Sequence, residues 1–247
     1  MFSLFKKSKS GGEKIDYSVI GVDMHSHLLP GIDDGAADLA ASVELIRGLK
    51  ALGYRKLITT PHIIWDMYKN TPAIITEKLD LVRKALQEEG IDIELNAAAE
   101  YFLDEHVEEL LKKKEPLLTV SGNKVLIEFS MLFPSMNAKD VLFDMLMSGY
   151  QPIIAHAERY QYLQQNKEFY DELKDMGCLL QLNILSLYGH YGRTVRELAE
   201  YLLAKGFYDL VGTDLHHSRH LEELKHAEMT PALKKAFDSG QISNSLL

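Results

Sequence analysis

The sequence of 247 residues has one cysteine, one tryptophan and seven prolines. A lone cysteine excludes an internal disulfide framework and a cysteine-rich zinc site, and it agrees with a reducing compartment. Cys178 opens an apolar run and is predicted to fill the core. No stretch reaches the roughly 18 uninterrupted apolar residues of a membrane-spanning helix, and no signal-peptide core follows the start. We therefore expect a cytoplasmic protein without stable membrane insertion.

Positive charge is also scarce. Lysine and arginine together number 27 against 36 aspartates and glutamates, which leaves a formal net charge of −9. An acidic surface disfavours nucleic acid as a partner and disfavours a general anion-binding surface. An anionic substrate would therefore need a local positive site. The 46% of hydrophobic and 26% of charged residues are typical of a globular chain and exclude disorder.

The first fourteen residues differ from the rest of the chain. They carry Lys6, Lys7 and Lys9 beside two phenylalanines and end close to a pair of glycines, which predicts a flexible basic N-terminal tail over residues 1–14. From residue 15 there is no break in composition, low-complexity tract or repeat. Residues 15–247 are therefore predicted to form a single domain.

The remaining sequence alternates short apolar runs with amphipathic segments. This pattern is typical of an α/β fold in which each strand of a parallel sheet is followed by a crossover helix. Seven strands are predicted, at about residues 18–24, 56–60, 91–99, 125–129, 151–155, 179–184 and 208–211. The first two helices are predicted at residues 36–52 and 72–89. A closed or nearly closed βα barrel is favoured over an open doubly wound sheet.

Side chains that bind metals recur where these strands end. In chain order they are His25, His27, His62, Glu100, Glu128, His156, Asp214 and His216. The carboxyl ends of barrel strands meet at one mouth of the fold, where its active sites lie, so residues far apart in sequence would face one another there. The strand at residues 179–184 is the exception, because it ends at Asn183 and Ser186.

Spacing and burial strengthen this interpretation. His25 and His27 lie two residues apart, so both can point to the same side of an extended strand and reach one ion, and Asp23 is left to orient an imidazole. Glu128 lies inside an apolar run, where a carboxylate is costly unless a cation or a donor neutralises it. An ion pair with an arginine is the alternative there. Asp34 lies in a predicted loop turn or, alternatively, at the N-cap of the helix at residue 36.

The pooled nitrogen and oxygen ligands suit manganese, iron, zinc or cobalt. Five histidines and four carboxylates are enough for two or three ions, and three divalent cations would leave a pocket charge of about +2 in an acidic protein. Such a cluster can polarise a phosphoryl oxygen and activate water. Arg159 and Arg219, each three residues after a histidine of the set, can bind phosphate, with surface salt bridges as the alternative for both and Glu158 as a partner for Arg159.

Several motifs carry a resemblance to a known family. They read DMHSHLLPGIDDGA, TPHI, AAEYF, LIEFS, IAHAERY and GTDLHH in this order. They resemble motifs of the polymerase-and-histidinol-phosphatase (PHP) superfamily and, more narrowly, of its bacterial protein-tyrosine phosphatases of capsule and exopolysaccharide regulation. The similarity covers about residues 20–221.

The resemblance implies a distorted seven-stranded βα barrel that holds three divalent metal ions, with manganese placed before iron, cobalt or zinc. One ion would take His25, His27, Glu100 and Asp214; a second would share Glu100 and add Glu128 and His156; a third would take Asp34, His62 and His216. Arg159 matches the arginine that contacts phosphate. Hydroxide held between metals would attack phosphorus, and tyrosine would leave. The implied partner is a phosphotyrosine protein, a tyrosine autokinase at the inner face of the membrane.

The sequence departs from the family pattern at two places near the site, and other functions stay open. The gap from His216 to Arg219 is shorter than in the family, and residues 131–134 have no counterpart. A phosphatase for a small ester such as histidinol phosphate is the first alternative; Phe133, Tyr160 and Tyr188 would suit a tyrosine ring if they surrounded the pocket. A non-catalytic, metal-stabilised interaction module is the second. A phosphodiesterase or nuclease is disfavoured by the acidic composition. The sequence does not indicate an oligomeric state.

Overall fold

The computed structural model describes residues 13–247 and contains nine short strands and eight α-helices in that part of the chain. The strands are β1 (Val22–Asp23), β2 (Lys56–Thr59), β3 (His62–Ile63), β4 (Glu94–Ala97), β5 (Glu100–Phe102), β6 (Lys124–Glu128), β7 (Gln151–Ile154), β8 (Leu179–Asn183) and β9 (Tyr208–Gly212). The helices are α1 (Leu39–Leu52), α2 (Pro72–Glu88), α3 (Glu105–Lys113), α4 (Ala138–Met147), α5 (Glu168–Asp175), α6 (Arg193–Lys205), α7 (Ser218–His226) and α8 (Pro231–Asp238).

The strands form two parallel sheets instead of one closed barrel. The first has the order β1-β2-β4 and the second the order β3-β5-β6-β7-β8-β9. The α/β class with parallel pairing is confirmed, whereas a closed seven-stranded barrel is not found in residues 13–247. The division falls at Pro61, which has no N–H to donate to a ladder and separates β2 from β3. The break between β4 and β5 lies in register beside it, since Thr59 pairs with Ala97 and His62 with Glu100.

The ends of the first and last strands meet across the two sheets. Ser26 and Leu215 form a parallel bridge. The Asp214 amide donates to the His25 carbonyl at 2.7 Å, and the His27 amide donates to the Leu215 carbonyl at 2.9 Å. These bonds hold the chain after β1 directly beside the chain after β9, although the two segments are almost 190 residues apart in sequence.

Two apolar cores support this arrangement. The larger one fills the space between the sheets and the helices and includes Cys178, whose thiol pKa is raised to about 11 by burial. The smaller one draws on strands of both sheets, with Ile58 from β2, Leu126 from β6, Ile153 from β7 and Leu210 from β9. Both sheets therefore contribute side chains to the smaller core.

The loop after β1 is longer than predicted from the sequence. Helix α1 begins at Leu39, not at residue 36, because the Asp38 carboxylate accepts from the Ala41 amide at 2.9 Å and caps it. The N-cap alternative for Asp34 is therefore wrong.

Most of the predicted tail, residues 1–12, lies outside the described residues, and Lys14 forms an antiparallel bridge with Glu228. None of the helices within residues 13–247 has the length and apolar composition needed to cross a membrane.

Candidate metal centre

The strand ends bring all nine predicted metal-binding side chains into one cluster. It contains His25, His27, Asp34, His62, Glu100, Glu128, His156, Asp214 and His216. All except Asp34 and His216 are buried. His62, Glu100 and Glu128 lie in strands of the second sheet, and the other six lie in the segments that follow β1, β7 and β9. The cluster therefore exists only when the segment after β1 is packed against the second sheet.

Glu100 lies at the middle of the cluster and is completely buried. Its Oε2 atom is 3.1 Å from His25 Nε2, 3.3 Å from His27 Nε2 and 3.2 Å from His62 Nδ1. Its Oε1 atom is 3.0 Å from His156 Nε2. One carboxylate therefore faces four imidazoles that belong to three different segments of the chain.

The geometry around Glu100 fits a cation better than it fits hydrogen bonding. Oε2 is buried and makes no hydrogen bond among the described residues, although three imidazole nitrogens surround it. Ligand atoms about 2.1 Å from a divalent ion lie about 3.0 Å apart when they are at right angles. The observed separations are close to that value. The donor set of imidazole nitrogen and carboxylate oxygen is also the set that first-row divalent metals prefer.

Three overlapping groups of ligand atoms have the spacing of a metal site, with all atoms of a group within 4.8 Å of one another. They are His25, His27, Glu100 and Asp214; His62, Glu100 and Glu128; and His27, Asp34, His62 and His216. The first matches the predicted set for one ion. The second has His62 where His156 is predicted, and the third adds His27. His156 Nε2 still lies 3.6 Å from Glu128 Oε1, beside the second group.

Without a cation, the buried carboxylates Glu100 and Glu128 repel each other. Burial, together with the negative charge of Glu100, raises the pKa of Glu128 well above its usual value. Burial alone would also raise the pKa of Glu100, but His25 and His62 outweigh it and lower that pKa well below the usual value. Burial and Arg159 lower the pKa of His156 to about 4, so this imidazole is neutral and can donate a lone pair. A cation between the two glutamates would remove their repulsion.

Hydrogen bonds fix which nitrogen faces the cluster in three of the five imidazoles. His25 Nδ1 donates to Gln181 Oε1 at 2.9 Å, and His27 Nδ1 donates to Asp33 Oδ2 at 2.8 Å. His216 Nδ1 donates to the Asp214 carbonyl at 2.9 Å. Because each acceptor is an oxygen that cannot donate, Nδ1 carries the proton and Nε2 presents its lone pair to the centre.

The residues that orient the imidazoles differ from the sequence prediction at Asp23 and Gln181. Asp23 does not bond an imidazole; its carboxylate accepts from the Thr213 amide at 2.9 Å and from the Thr213 hydroxyl at 2.7 Å, which ties β1 to the end of β9. Gln181 takes the orienting role for His25 and also accepts from the His156 amide at 2.8 Å. The only sequence signal for Gln181 is an amide side chain within the apolar run of β8.

Two candidate ligands have backbone conformations that L-residues rarely adopt. His156 has a φ of 29° and Asp214 a φ of 51°. Non-glycine residues in this region cost on the order of 1–3 kcal/mol each and persist where surrounding contacts over-determine them. The Gln181 contact to the His156 amide and the Asp214 amide bond to the His25 carbonyl supply such contacts. The chain therefore turns sharply at both positions and aims these side chains inward.

An open cavity of about 360 Å³ lies over the cluster. Its lining comprises Asp34, His62, Ile64, Met67, Tyr68, Glu128, His156, Arg159, Tyr191, Asp214, His216, His217 and His220. Ile64, Met67 and Tyr68 give it an apolar side. Tyr68 stacks nearly parallel to His62, with ring centroids 5.8 Å apart. The cavity therefore has candidate metal ligands on one side and apolar side chains, including the Tyr68 ring, on the other.

The two predicted phosphate-binding arginines lie in different environments. Arg159 lines the cavity, and its Nη1 donates to Asp214 Oδ2 at 2.8 Å. Glu158, the alternative partner, is instead buried and accepts from the Ser186 and Tyr208 hydroxyls. The Arg219 side chain is 79% exposed, pairs with Glu223 and is not part of the cavity lining.

The aromatic residues named from the sequence do not surround the pocket. Phe133 is 65% exposed, and Tyr160 is buried with its hydroxyl bonded to the Ala155 carbonyl. Tyr188 bonds the Glu228 carbonyl. None of the three lines the cavity, where Tyr68 and Tyr191 stand instead. Their place in the cavity could not be predicted from the sequence, because both lie in loops beyond the strand ends.

Gly35 allows the loop that carries Asp33 to pass against His27. A Cβ atom at this glycine would lie 2.2 Å from the His27 carbonyl oxygen and 2.4 Å from His27 Cβ. We expect Gly35→Ala to lower the free energy of unfolding by about 1–3 kcal/mol and to lower the bound metal content, because His27 or the loop must move. Thermal denaturation and elemental analysis measure the two effects.

Gly122→Ala is the matched control for that substitution. Gly122 has a φ of 58° and open space around it, so alanine there is strained without touching the centre. It should lower the melting temperature and leave the metal content unchanged. Equal metal contents in Gly35→Ala and Gly122→Ala would contradict the role given to the Gly35 loop.

A parallel α/β fold with histidines and carboxylates gathered at the strand ends defines a class of candidate metalloenzymes, and comparisons narrow the class. A family model described as "Capsular polysaccharide synthesis, CpsB/CapC" matches residues 21–243. The chain belongs to the CpsB/CapC family.

Relatives and solved structures agree with this assignment. Tyrosine-protein phosphatase YwqE of Bacillus subtilis is 33% identical over 197 residues, which cover 79% of this chain and 77% of the relative. Tyrosine-protein phosphatase CpsB of Streptococcus pneumoniae is 32% identical over 202 residues, covering 79% and 83%. A solved structure from work on YwqE and CpsB, described as unique metal-dependent tyrosine phosphatases, superposes with a TM-score of 0.76 at 30% identity and covers 88% of this chain and 86% of that one.

Proposed function

We propose that this chain is a metal-dependent phosphomonoester hydrolase that dephosphorylates phosphotyrosine in a protein. The observation that carries the proposal is the buried Glu100 carboxylate, which faces four imidazoles and lies beneath an open cavity, while its Oε2 makes no hydrogen bond to any of residues 13–247. The names of the similar proteins support the same activity. We place the whole activity in one domain, residues 15–247.

We assign the centre three divalent ions, with manganese as the first choice. His25, His27, Glu100 and Asp214 would hold one ion, Glu128 and His156 would join Glu100 at a second, and Asp34, His62 and His216 would hold a third. Bound ions of this kind polarise a phosphoryl oxygen and lower the pKa of water toward about 7.

The chain's own residues bind and orient the substrate. Arg159 presents a planar guanidinium to the cavity, which matches two phosphate oxygens at once. Asp214 fixes one of its nitrogens, so the guanidinium is held in place before phosphate arrives. Ile64, Met67 and Tyr68 offer an apolar surface to the leaving group, and an aromatic ring buries more area there than an aliphatic chain.

The test of this function compares three substrates at equal enzyme and manganese concentrations. We expect a phosphotyrosine peptide to be hydrolysed with a kcat/KM at least about tenfold above that of a phosphoserine peptide or histidinol phosphate. Phosphate release measures all three. Faster turnover of histidinol phosphate would replace the tyrosine assignment by a small-ester phosphatase, and no hydrolysis of any ester by manganese-loaded protein would favour a non-catalytic module.

We further propose a cytoplasmic setting and a phosphotyrosine protein of capsule synthesis as the partner, in particular a tyrosine autokinase at the inner face of the membrane. The family description supports the capsule context. The acidic net charge of −9 makes nucleic acid an unfavourable partner.

Arg159 provides a separate prediction. Arg159→Met removes the bidentate phosphate contact while keeping an unbranched side chain, so we expect kcat/KM for the phosphotyrosine peptide to fall about 10- to 100-fold. Arg193→Met is the control, because Arg193 is 90% exposed and pairs with Glu197 on its own helix. Arg219→Met tests the other predicted arginine: a loss equal to that of Arg159→Met would place Arg219 on phosphate, and wild-type kinetics would remove it from the site.

A further inference from the structure

The Arg159 guanidinium lies over the ring of Tyr191. The Arg159 Cζ atom is 4.4 Å from the centroid of the Tyr191 ring. At this distance the negative face of the ring attracts the cation. Both side chains line the cavity over the metal centre. No spacing in the sequence links them, since they lie on opposite sides of β8 in chain order.

The Tyr191 ring is itself held in place through a hydrogen bond to its hydroxyl. Asn183 Nδ2 donates to the Tyr191 hydroxyl at 3.0 Å and to Asp214 Oδ2 at 3.1 Å. Arg159 Nη1 donates to the same Oδ2 atom at 2.8 Å. The four side chains therefore form a closed ring of contacts in which Arg159 touches both Asp214 and Tyr191, and Asn183 joins those two.

This arrangement leaves the guanidinium with one free edge. Asp214 accepts from Nη1 and the Tyr191 ring lies beside Cζ, while the other nitrogens of Arg159 have no hydrogen-bond partner within residues 13–247. An arginine side chain has many rotamers, and phosphate binding to a mobile guanidinium would have to remove that freedom. A guanidinium held by two partners has already lost most of that freedom.

We propose that Tyr191 is a positioning residue that holds Arg159 for binding the phosphate of the substrate. The proposal rests on the proposed phosphatase function and deepens it by giving the phosphate subsite a second, aromatic component. The ring face is the part of Tyr191 that acts on Arg159, and the hydroxyl anchors the ring to Asn183.

The test uses manganese-loaded full-length protein with a phosphotyrosine peptide. We expect Tyr191→Leu to raise KM, and the inhibition constant of inorganic phosphate, by roughly 2- to 30-fold, with a smaller change in kcat and no change in bound metal. Tyr191→Phe keeps the ring and should stay within about threefold of wild type. A purely structural defect would instead lower the active fraction and leave KM and the phosphate constant unchanged.

Tyr201 supplies the matched control. Lys167 Nζ lies 4.4 Å from the centroid of the Tyr201 ring, which is the same kind of contact at the same distance but outside the cavity. Tyr201→Leu should leave KM unchanged. If Tyr191→Leu behaves like Tyr201→Leu while wild type hydrolyses the peptide, the inference fails and the phosphatase assignment survives; if wild type does not hydrolyse the peptide, the assignment itself fails.

A double-mutant cycle with Arg159→Lys completes the test. If Tyr191 acts through Arg159, Arg159→Lys should raise KM less in the Tyr191→Leu protein than in wild type. Additive effects would show that the two residues act independently and would overturn the proposal.

Discussion

Glu100→Gln should lower kcat/KM for the phosphotyrosine peptide by at least about 100-fold and reduce the metal content of the purified protein. The side chain is completely buried, and it belongs to two of the three ligand groups. The amide has nearly the same shape but no charge, and it offers one oxygen where the carboxylate offers two. Mutating a residue that only hydrogen-bonds a metal ligand already lowers metal affinity or activity by about 10- to 100-fold. Loss of a ligand shared by two groups should therefore lower activity more.

Glu94→Gln is the control for this substitution. Glu94 lies in β4, the strand just before Glu100, and its side chain is 58% exposed and pairs with Lys56. The change removes the same charge from the same region without touching the centre. Steady-state kinetics measure kcat/KM, and elemental analysis measures the metal content, of both variants. A Glu100→Gln protein with wild-type rate and metal content would refute the assignment of Glu100 as a shared ligand.

Removal of metal should abolish activity, and manganese or cobalt should restore it. The reason is electrostatic as well as catalytic: without cations the buried carboxylates Glu100, Glu128 and Asp214 converge, and the pKa of Glu128 rises well above its usual value. Metal that binds only the folded state stabilises it by about 2.7 kcal/mol at a concentration 100 times its Kd. The chelated protein should therefore also have a lower melting temperature.

The measurement combines dialysis against a chelator, elemental analysis, thermal denaturation and peptide hydrolysis. Titration of manganese into the metal-free protein counts the ions, with three expected. In Glu100→Gln the melting temperature should respond less to manganese than in wild type. Full activity in protein shown by elemental analysis to be free of metal would exclude a metal-dependent reaction.

The candidate ligands could be predicted because their positions follow from the fold class. Parallel strands have their carboxyl ends at the same edge, so a histidine or carboxylate after each apolar run must approach the others. His62 and Glu100 are adjacent in register on β3 and β5, as this argument requires. The division into two sheets was not predicted, because the strand pattern does not reveal how far Pro61 separates β2 from β3.

The surroundings of the ligands were harder to predict for a physical reason. Arg159 and Arg219 have the same three-residue spacing from a histidine, yet their environments differ. Arg159 ends a short 3₁₀ turn, Ala157–Arg159, that directs its side chain to Asp214. Arg219 lies in the first turn of α7 and pairs with Glu223 one turn later. Side-chain direction depends on these turns, and spacing along the chain does not encode it.

The wide separation of the cluster in sequence bears on how the protein is made. Its members run from His25 to His216, and the bonds between the chain after β1 and the chain after β9 close it. A nascent polypeptide cannot assemble the centre until both segments have left the ribosome, because the segment after β9 supplies Asp214 and His216. The full set of candidate ligands is therefore available to cations only after most of the chain has been synthesised.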